Sequence, residues 1–250
     1  MAVTCVVAVF LLLPSLIVIP ASLSSSPFLE FPPPGWSLKW YESFFSGTNW
    51  TSALLRSIQV AVMVTVLSVM LGTAAALGLA RWRGNGSSIA SGIMSMPLIV
   101  PVIIYAIGAF GMFSQTELYG GLAGLALAQT ALALPFVIIN VSGPLARFDR
   151  NQEKAARSLG ATSLRSFLDV VLPHILPGVL AGALFAFLVS FNEVILAMFL
   201  TTPATQTLPV QMWSSIRLDI NPTIAAAATL LVLVSSGVML LSILLTKEEA

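Results

Sequence analysis

Seven stretches of this chain carry no charge: 1–29, 57–80, 84–116, 118–146, 170–192, 194–216 and 220–246. Each is long enough to cross a bilayer, whose hydrocarbon core needs roughly 20 predominantly apolar residues in a helix. Backbone polar groups in lipid must be satisfied within the segment, which a helix does and an irregular chain does not. With 57% apolar and 8% charged residues among its 250, the chain also lacks the charged surface that keeps a soluble domain dispersed. The sequence therefore reads as an all-α integral membrane protein.

The same composition excludes several functions. A net charge of +1 offers no basic surface for a nucleic acid backbone. Cys5 and His174 are the sole cysteine and histidine, so an intrachain disulfide, a Cys-based zinc site and a His–His pair are all ruled out, and no metal is expected. The three lysines, Lys39, Lys154 and Lys247, follow Leu38, Glu153 and Thr246. A phosphate-cradling loop needs Gly before its Lys, so the chain has none. It is expected to bind no cofactor and to be no enzyme; ATP and Mg for driven transport would sit on a partner ATPase.

Six spans are read, near Val3–Leu23, Leu54–Ala80, Ile89–Met112, Leu122–Leu145, Pro177–Leu200 and Thr223–Leu245. Arg81-Trp82-Arg83 and the breaker run Gly84-Asn85-Gly86 end the second. Pro97 and Pro101 are expected to kink the third, for gating or for packing. Lys and Arg in short loops mark the cytoplasmic side. Arg81, Arg83, Arg147, Arg150, Lys154, Arg157, Arg165 and Lys247 fall on one face, and Lys39, Arg56 and Arg217 on the other. Both termini are thus expected in the cytoplasm. Residues 1–22 lack the basic start of a signal peptide and exceed its usual apolar core of about 7–15 residues, so they are expected to remain a helix.

This makes one transmembrane domain over 1–250, with external segments of about 24–52 and 201–221 and a cytoplasmic loop of about 147–176. The first external segment carries Pro32-Pro33-Pro34, Trp36, Trp40, Tyr41, Phe44 and Phe45. It is either an interfacial anchor or a docking surface. The second reads as a loop with one short helix, and no internal repeat is present.

The cytoplasmic loop, DRNQEKAARSLGATSLRSFLDVVLPHILP from Asp149 to Pro177, holds two helical patterns. Residues 151–159 put Ala155, Ala156 and Leu159 on one side and charges on the other. Gly160 permits a turn. Leu164, Phe167, Leu168 and Val171 then recur at helical spacing over about Ser163–Val171. Pro173 and Pro177 are expected to break the path back into the membrane. Such a hairpin either joins two spans at the surface or offers an apolar stripe to a partner's groove.

Glu193 is the only ionisable residue deep in an expected span, with Ser190 one turn earlier and Asn192 beside it. A charge there costs on the order of 3 kcal/mol, so it normally faces a cavity or a partner. Glu193 either lines a path for a cationic or amine group, pairs with a companion subunit, or lies near enough to the outer surface to be solvated. Gln129 and Asn140 are expected to hydrogen-bond across helices. The candidate pathway set is Glu193, Asn192, Ser190, Gln129 and Tyr105. Gly178-x-x-x-Gly182, with Ala186 in register, forms a small-residue stripe suited to close helix packing. His174, at the membrane boundary, reads as structural.

Lys154-Ala155-Ala156-x-x-x-Gly160, then nine residues and Val170-x-Leu172-Pro173, resembles the EAA loop of binding-protein-dependent ABC import permeases. The stretches WSLKWYESFF (36–45), MPLIVP (96–101), LPFVIINVSGPLARFD (134–149) and TLPVQMWSSIR (207–217) resemble the spermidine/putrescine-type permease subunits. The resemblance implies a type I ABC importer permease fold in the bacterial inner membrane, with the loop seated in a groove of a cytoplasmic ATPase dimer. A second homologous permease and a periplasmic substrate-binding protein are the other implied partners. The implied coupling residues are Glu153, Lys154, Ala155, Ala156, Gly160, Ala161, Phe167, Leu172 and Pro173. The implied activity is ATP-driven import of a small organic solute, foremost a polyamine such as spermidine or putrescine.

Three positions depart from the family pattern. Lys154 replaces the acidic first residue of the motif, with Glu153 one place earlier. Val102 follows the span-three Pro where polyamine relatives commonly carry an acid, and their paired span-five acids appear here as Asn192-Glu193. The alternative is thus the same architecture with another solute, such as an opine or phosphonate. A secondary transporter working without ATP fits less well, since repeats and further intramembrane charges are missing. A membrane enzyme would need a reactive cluster that the sequence lacks.

Overall fold

Helices are the only regular elements among the described residues, apart from one isolated bridge between Ser24 and Trp36. The computed structural model describes residues 16–82, Gly84, 86–218 and 221–247, together with Val7, Phe10 and Leu13. Residues 16–22 are helical. There follow α1 (Lys39–Ser46), α2 (Thr48–Arg81), α3 (Gly86–Ser95), α4 (Val102–Phe113), α5 (Leu122–Arg147), α6 (Arg150–Ser158), α7 (Ser163–Ser166), α8 (Leu172–Phe191), α9 (Ile195–Leu200), α10 (Leu208–Leu218) and α11 (Thr223–Lys247). Most of the expected first span, with Cys5, lies outside the described residues, as do Arg83 and Asn85.

Four helices among the described residues are long and apolar enough to cross a membrane: Thr48–Arg81, Leu122–Arg147, Ser163–Phe191 and Thr223–Leu241. The expected third span is instead a bent pair, Gly86–Leu98 and Val102–Phe113, meeting at 95°. Pro97 opens the short 3₁₀ turn Met96–Leu98, and Pro101 immediately precedes α4. Neither proline can donate a helical N–H, so the turn of direction falls between them.

The fifth span corrects two expectations. Pro173 and Pro177 do not break the chain, because Ser163–Phe191 runs as one helical path. A π turn at Phe167–Val171 lets the Leu172 N–H reach back to the Phe167 carbonyl, and Pro173 enters in the first turn of α8, where its missing N–H costs little. The path also stops short of Leu200. It ends at Phe191, and α9 begins only at Ile195.

Contacts divide the chain into two compact units, Met1–Ile58 with Thr201–Gly237 and Gln59–Leu200 with Val238–Ala250. In the first, Phe44, Ala53, Leu208 and Ala227 form a buried cluster with Trp50 and Met212 packed against it. The aromatic external segment thus supplies core as well as surface: Phe44 is fully buried, while Trp36 is 70% exposed. Trp40 donates its indole N–H to the Ser24 carbonyl at 2.8 Å, and the Tyr41 and Ser22 hydroxyls lie 2.7 Å apart. Buried Ser57 accepts the Leu208 N–H at 2.8 Å, capping the start of α10. Ser57→Ala leaves that N–H without a partner and should cost about 1–3 kcal/mol, read as a lower melting temperature in detergent.

In the second unit α2, α5 and α8 approach closely around Val137, which is fully buried. A Cβ on Gly72 would lie 2.8 Å from the Val137 side chain, and one on Gly182 would lie 3.0 Å from Val137 Cα. The expected Gly178–Gly182 stripe therefore packs within this unit, against α5. Asn140 corrects its expectation: its side chain donates to Phe136 O of its own helix at 2.8 Å.

Candidate functional site

Glu193 sits in the break between α8 and α9, and the break explains its place in an apolar region. Short α9 begins with backbone N–H groups that have no helical acceptor. Glu193 Oε1 accepts the Leu196 N–H at 2.7 Å, and Oε2 accepts the Ala197 N–H at 2.9 Å. A carboxylate near a helix N-terminus also meets the favourable end of the helix dipole. Gln129 Nε2, from α5, donates to Oε2 at 3.2 Å, and the Ser190 hydroxyl donates to Gln129 Oε1 at 2.6 Å. The expected hydrogen bonding of Gln129 across helices is thus present, and Ser190, Gln129 and Glu193 form one chain.

The five pathway candidates separate into three positions. Glu193 and Asn192 line a cleft of about 420 Å³ whose other walls are apolar, among them Val102, Leu132, Phe136 and Val189. Asn192 is exposed and donates to Leu188 O at 2.9 Å. Gln129 and Ser190 are buried behind Glu193 and hold it in place. Tyr105 stands apart, its hydroxyl donating to Ala128 O at 2.8 Å. The Leu196, Ala197 and Gln129 donors hold the Glu193 carboxylate at the cleft wall. The capping role was not read from the sequence, because Glu193 looks like part of a continuous apolar helix until the break at Asn192 is seen.

The hairpin is built much as its pattern indicates. Asp149 caps α6, accepting the Asn151 N–H at 2.9 Å, and Thr162 caps α7 by accepting the Arg165 N–H at 3.2 Å. Gly160 turns between them at φ +94°, a conformation that disfavours side chains. Glu153 accepts from Arg81 Nη2 at 2.9 Å, and Arg150 donates to the Ala80 carbonyl, so α6 is tied to the end of α2 at two points. Lys154 and Ala155 are exposed, Ala156 and Ala161 are half-buried, and Leu159 is 90% exposed. Phe167, Leu172 and Pro173 lie along the helical path that leads from the hairpin into α8, Phe167 and Leu172 half-buried and Pro173 exposed. His174 packs its ring 5.2 Å from that of Phe148. Among the described residues, no His, Cys, Asp and Glu group could hold a metal ion.

The sequence profile of the family described as "Binding-protein-dependent transport system inner membrane component" matches residues 68–247. The chain belongs to this family. The putrescine transport system permease protein PotI of Escherichia coli (strain K12) is 32% identical over 229 residues, covering 89% of this chain and 81% of the relative. The spermidine/putrescine transport system permease protein PotC of the same strain is 28% identical over 241 residues, or 96% and 90% of the two chains. The crystal structure of a bacterial ABC transporter involved in the import of the acidic polysaccharide alginate shares the fold. It has a TM-score of 0.71 at 16% identity, covering all of this chain and 94% of the other. The chain is accordingly a permease subunit of an ABC importer, a component of the inner membrane. Its fold is that of the type I importer permeases.

Proposed function

We propose that this permease imports a polyamine, spermidine or putrescine, and forms one transmembrane domain with both termini in the cytoplasm. Its partners in this reading are a cytoplasmic ATPase dimer, a second homologous permease and a periplasmic substrate-binding protein. The hairpin 147–176 is the part seated on the ATPase, through Lys154, Ala155, Ala156, Gly160, Ala161, Phe167, Leu172 and Pro173, while Glu153 ties the hairpin to Arg81 of its own chain. ATP-driven closure of that dimer would move the hairpin and switch a path shared by the two permeases.

One observation carries the substrate class. The cleft holds one carboxylate and one carboxamide, Glu193 and Asn192, among apolar walls. A polyamine presents the complement, an ammonium group for the carboxylate and a methylene chain for the walls. Relationship to PotI and PotC supports the same choice. A second reading, the same architecture with another small organic solute, is favoured by Val102 on the cleft wall, where a second acid would have held a second ammonium.

The test is ATP hydrolysis by the four-component transporter in liposomes, with solutes supplied through the binding protein. Spermidine or putrescine should raise the rate about tenfold over basal turnover, the scale of roughly 1.4 kcal/mol in the coupled step. Stimulation by a different solute and not by polyamines would keep the importer and remove the polyamine.

A further inference from the structure

The acids of the hairpin are all engaged within this chain. Asp149 caps α6, Glu153 is paired with Arg81, and Asp169 is paired with Arg165 at 3.3 Å. Glu153 is also the more enclosed partner of its pair, its side chain 19% exposed against 54% for Arg81. The cations are not matched in the same way. Among the described residues, Lys154 reaches the Asn151 side-chain oxygen at 3.4 Å and Arg157 the Ser163 hydroxyl at 3.1 Å. Both contacts are to neutral oxygens. Three residues apart on one helix, Lys154 and Arg157 share a face. Leu159, at the end of the helix and away from that face, is 90% exposed, so the hairpin is open to a partner on more than one side. Two cations on one exposed face, without acidic partners among the described residues, complement an acidic surface.

We propose that the hairpin meets the ATPase with a positive face, and that Lys154 pairs there with a carboxylate of that subunit. The proposal rests on the coupling role given above and adds the polarity of the contact. Glu153 does not take part across the interface, because Arg81 already holds it. The ATPase that serves this permease therefore carries Asp or Glu where Lys154 lands.

The experiment uses the assembled transporter and a zero-length carbodiimide, which joins an amine to a carboxylate only when the two are in contact. Digestion and mass spectrometry of the native complex should yield a peptide linking Lys154 to an Asp or Glu of the ATPase. Lys154→Arg should keep the ATPase bound and lose the link, since arginine keeps the charge but is not coupled. Lys154→Glu should lower ATPase capture about tenfold or more, the effect of turning an attraction into a like-charge contact. A complex that holds its ATPase yet gives no Lys154 link, or that is indifferent to Lys154→Glu, overturns the proposal and leaves the coupling role intact. Capture that depends on anionic lipid and ignores Lys154→Glu overturns it in favour of a headgroup contact. If the native chain binds no ATPase, the coupling role fails as well.

Discussion

Glu193→Ala should reduce solute-driven ATP turnover by about a hundredfold, the largest functional loss expected of any single side chain here. Donors to the carboxylate include Leu196 N–H, Ala197 N–H and Gln129 Nε2. Alanine leaves all three without it in an apolar surround, at about 1–3 kcal/mol for each donor that stays unpaired. The short helix α9 loses its cap, and the cleft loses its one negative group. Glu193→Gln separates the two contributions. The amide keeps an acceptor oxygen but turns an NH₂ toward one of the donors, so part of the cap survives while the charge is gone. We expect the Gln variant to assemble and to melt closer to native than the Ala variant, with polyamine stimulation reduced about tenfold. Melting temperature in detergent and stimulated turnover in liposomes should be measured together. Native turnover in both variants would exclude Glu193 from the path, and equal losses of stability and turnover would make it a cap alone.

What could be read from the sequence follows from the range over which each cause acts. Uncharged runs, loop cations and the Gly160 turn are local, and they located α2, α5, α11 and the hairpin, though not its caps Asp149 and Thr162. The local signals of Pro97 and Pro101 also marked the bend in the third span, though not its 95°. Pro173 misled because its effect depends on a π turn five residues long just before it, which proline alone does not announce. The pairs that organise the candidate sites are long-range: Arg81 with Glu153 is 72 residues apart, and Gln129 with Glu193 is 64. No periodicity records such a pairing. For the same reason Asn140, a plausible bridge between helices by residue type, proves to bond its own helix at Phe136 O. The resemblance to a permease family implies a coupling role for the hairpin. The structure adds which of its charges are already spent inside the chain.

Gly178→Leu should yield no folded protein, and Gly178→Ala should lower stability by about 1–3 kcal/mol or more. A Cβ at Gly178 would fall inside van der Waals contact of the Asn140 carbonyl oxygen, 3.2 Å from the Asn140 carbonyl carbon and 3.0 Å from Pro144 Cγ. These are backbone and ring atoms, so neither can swing aside as a long side chain would. The contact exists because Pro144 has no N–H to give Asn140 O, four residues earlier, and so leaves that carbonyl without its helical donor. The α8 backbone can approach it only where no side chain intervenes, and a Cα–H can then lie against the oxygen. Without a hydrophobic drive between helices in lipid, such close packing is a main source of cohesion. Forcing α8 away from α5 would also displace Val137 from Gly182 and strain the Ser190–Gln129–Glu193 chain that positions the cleft carboxylate. Gly143→Ala supplies the contrast. A Cβ there meets nothing within 4 Å, and alanine is the better helix former by roughly 1 kcal/mol, so stability should hold or rise. Thermal melts of the three variants in one detergent decide it: equal behaviour of Gly178→Ala and Gly143→Ala would mean that α5 and α8 are not held by this contact.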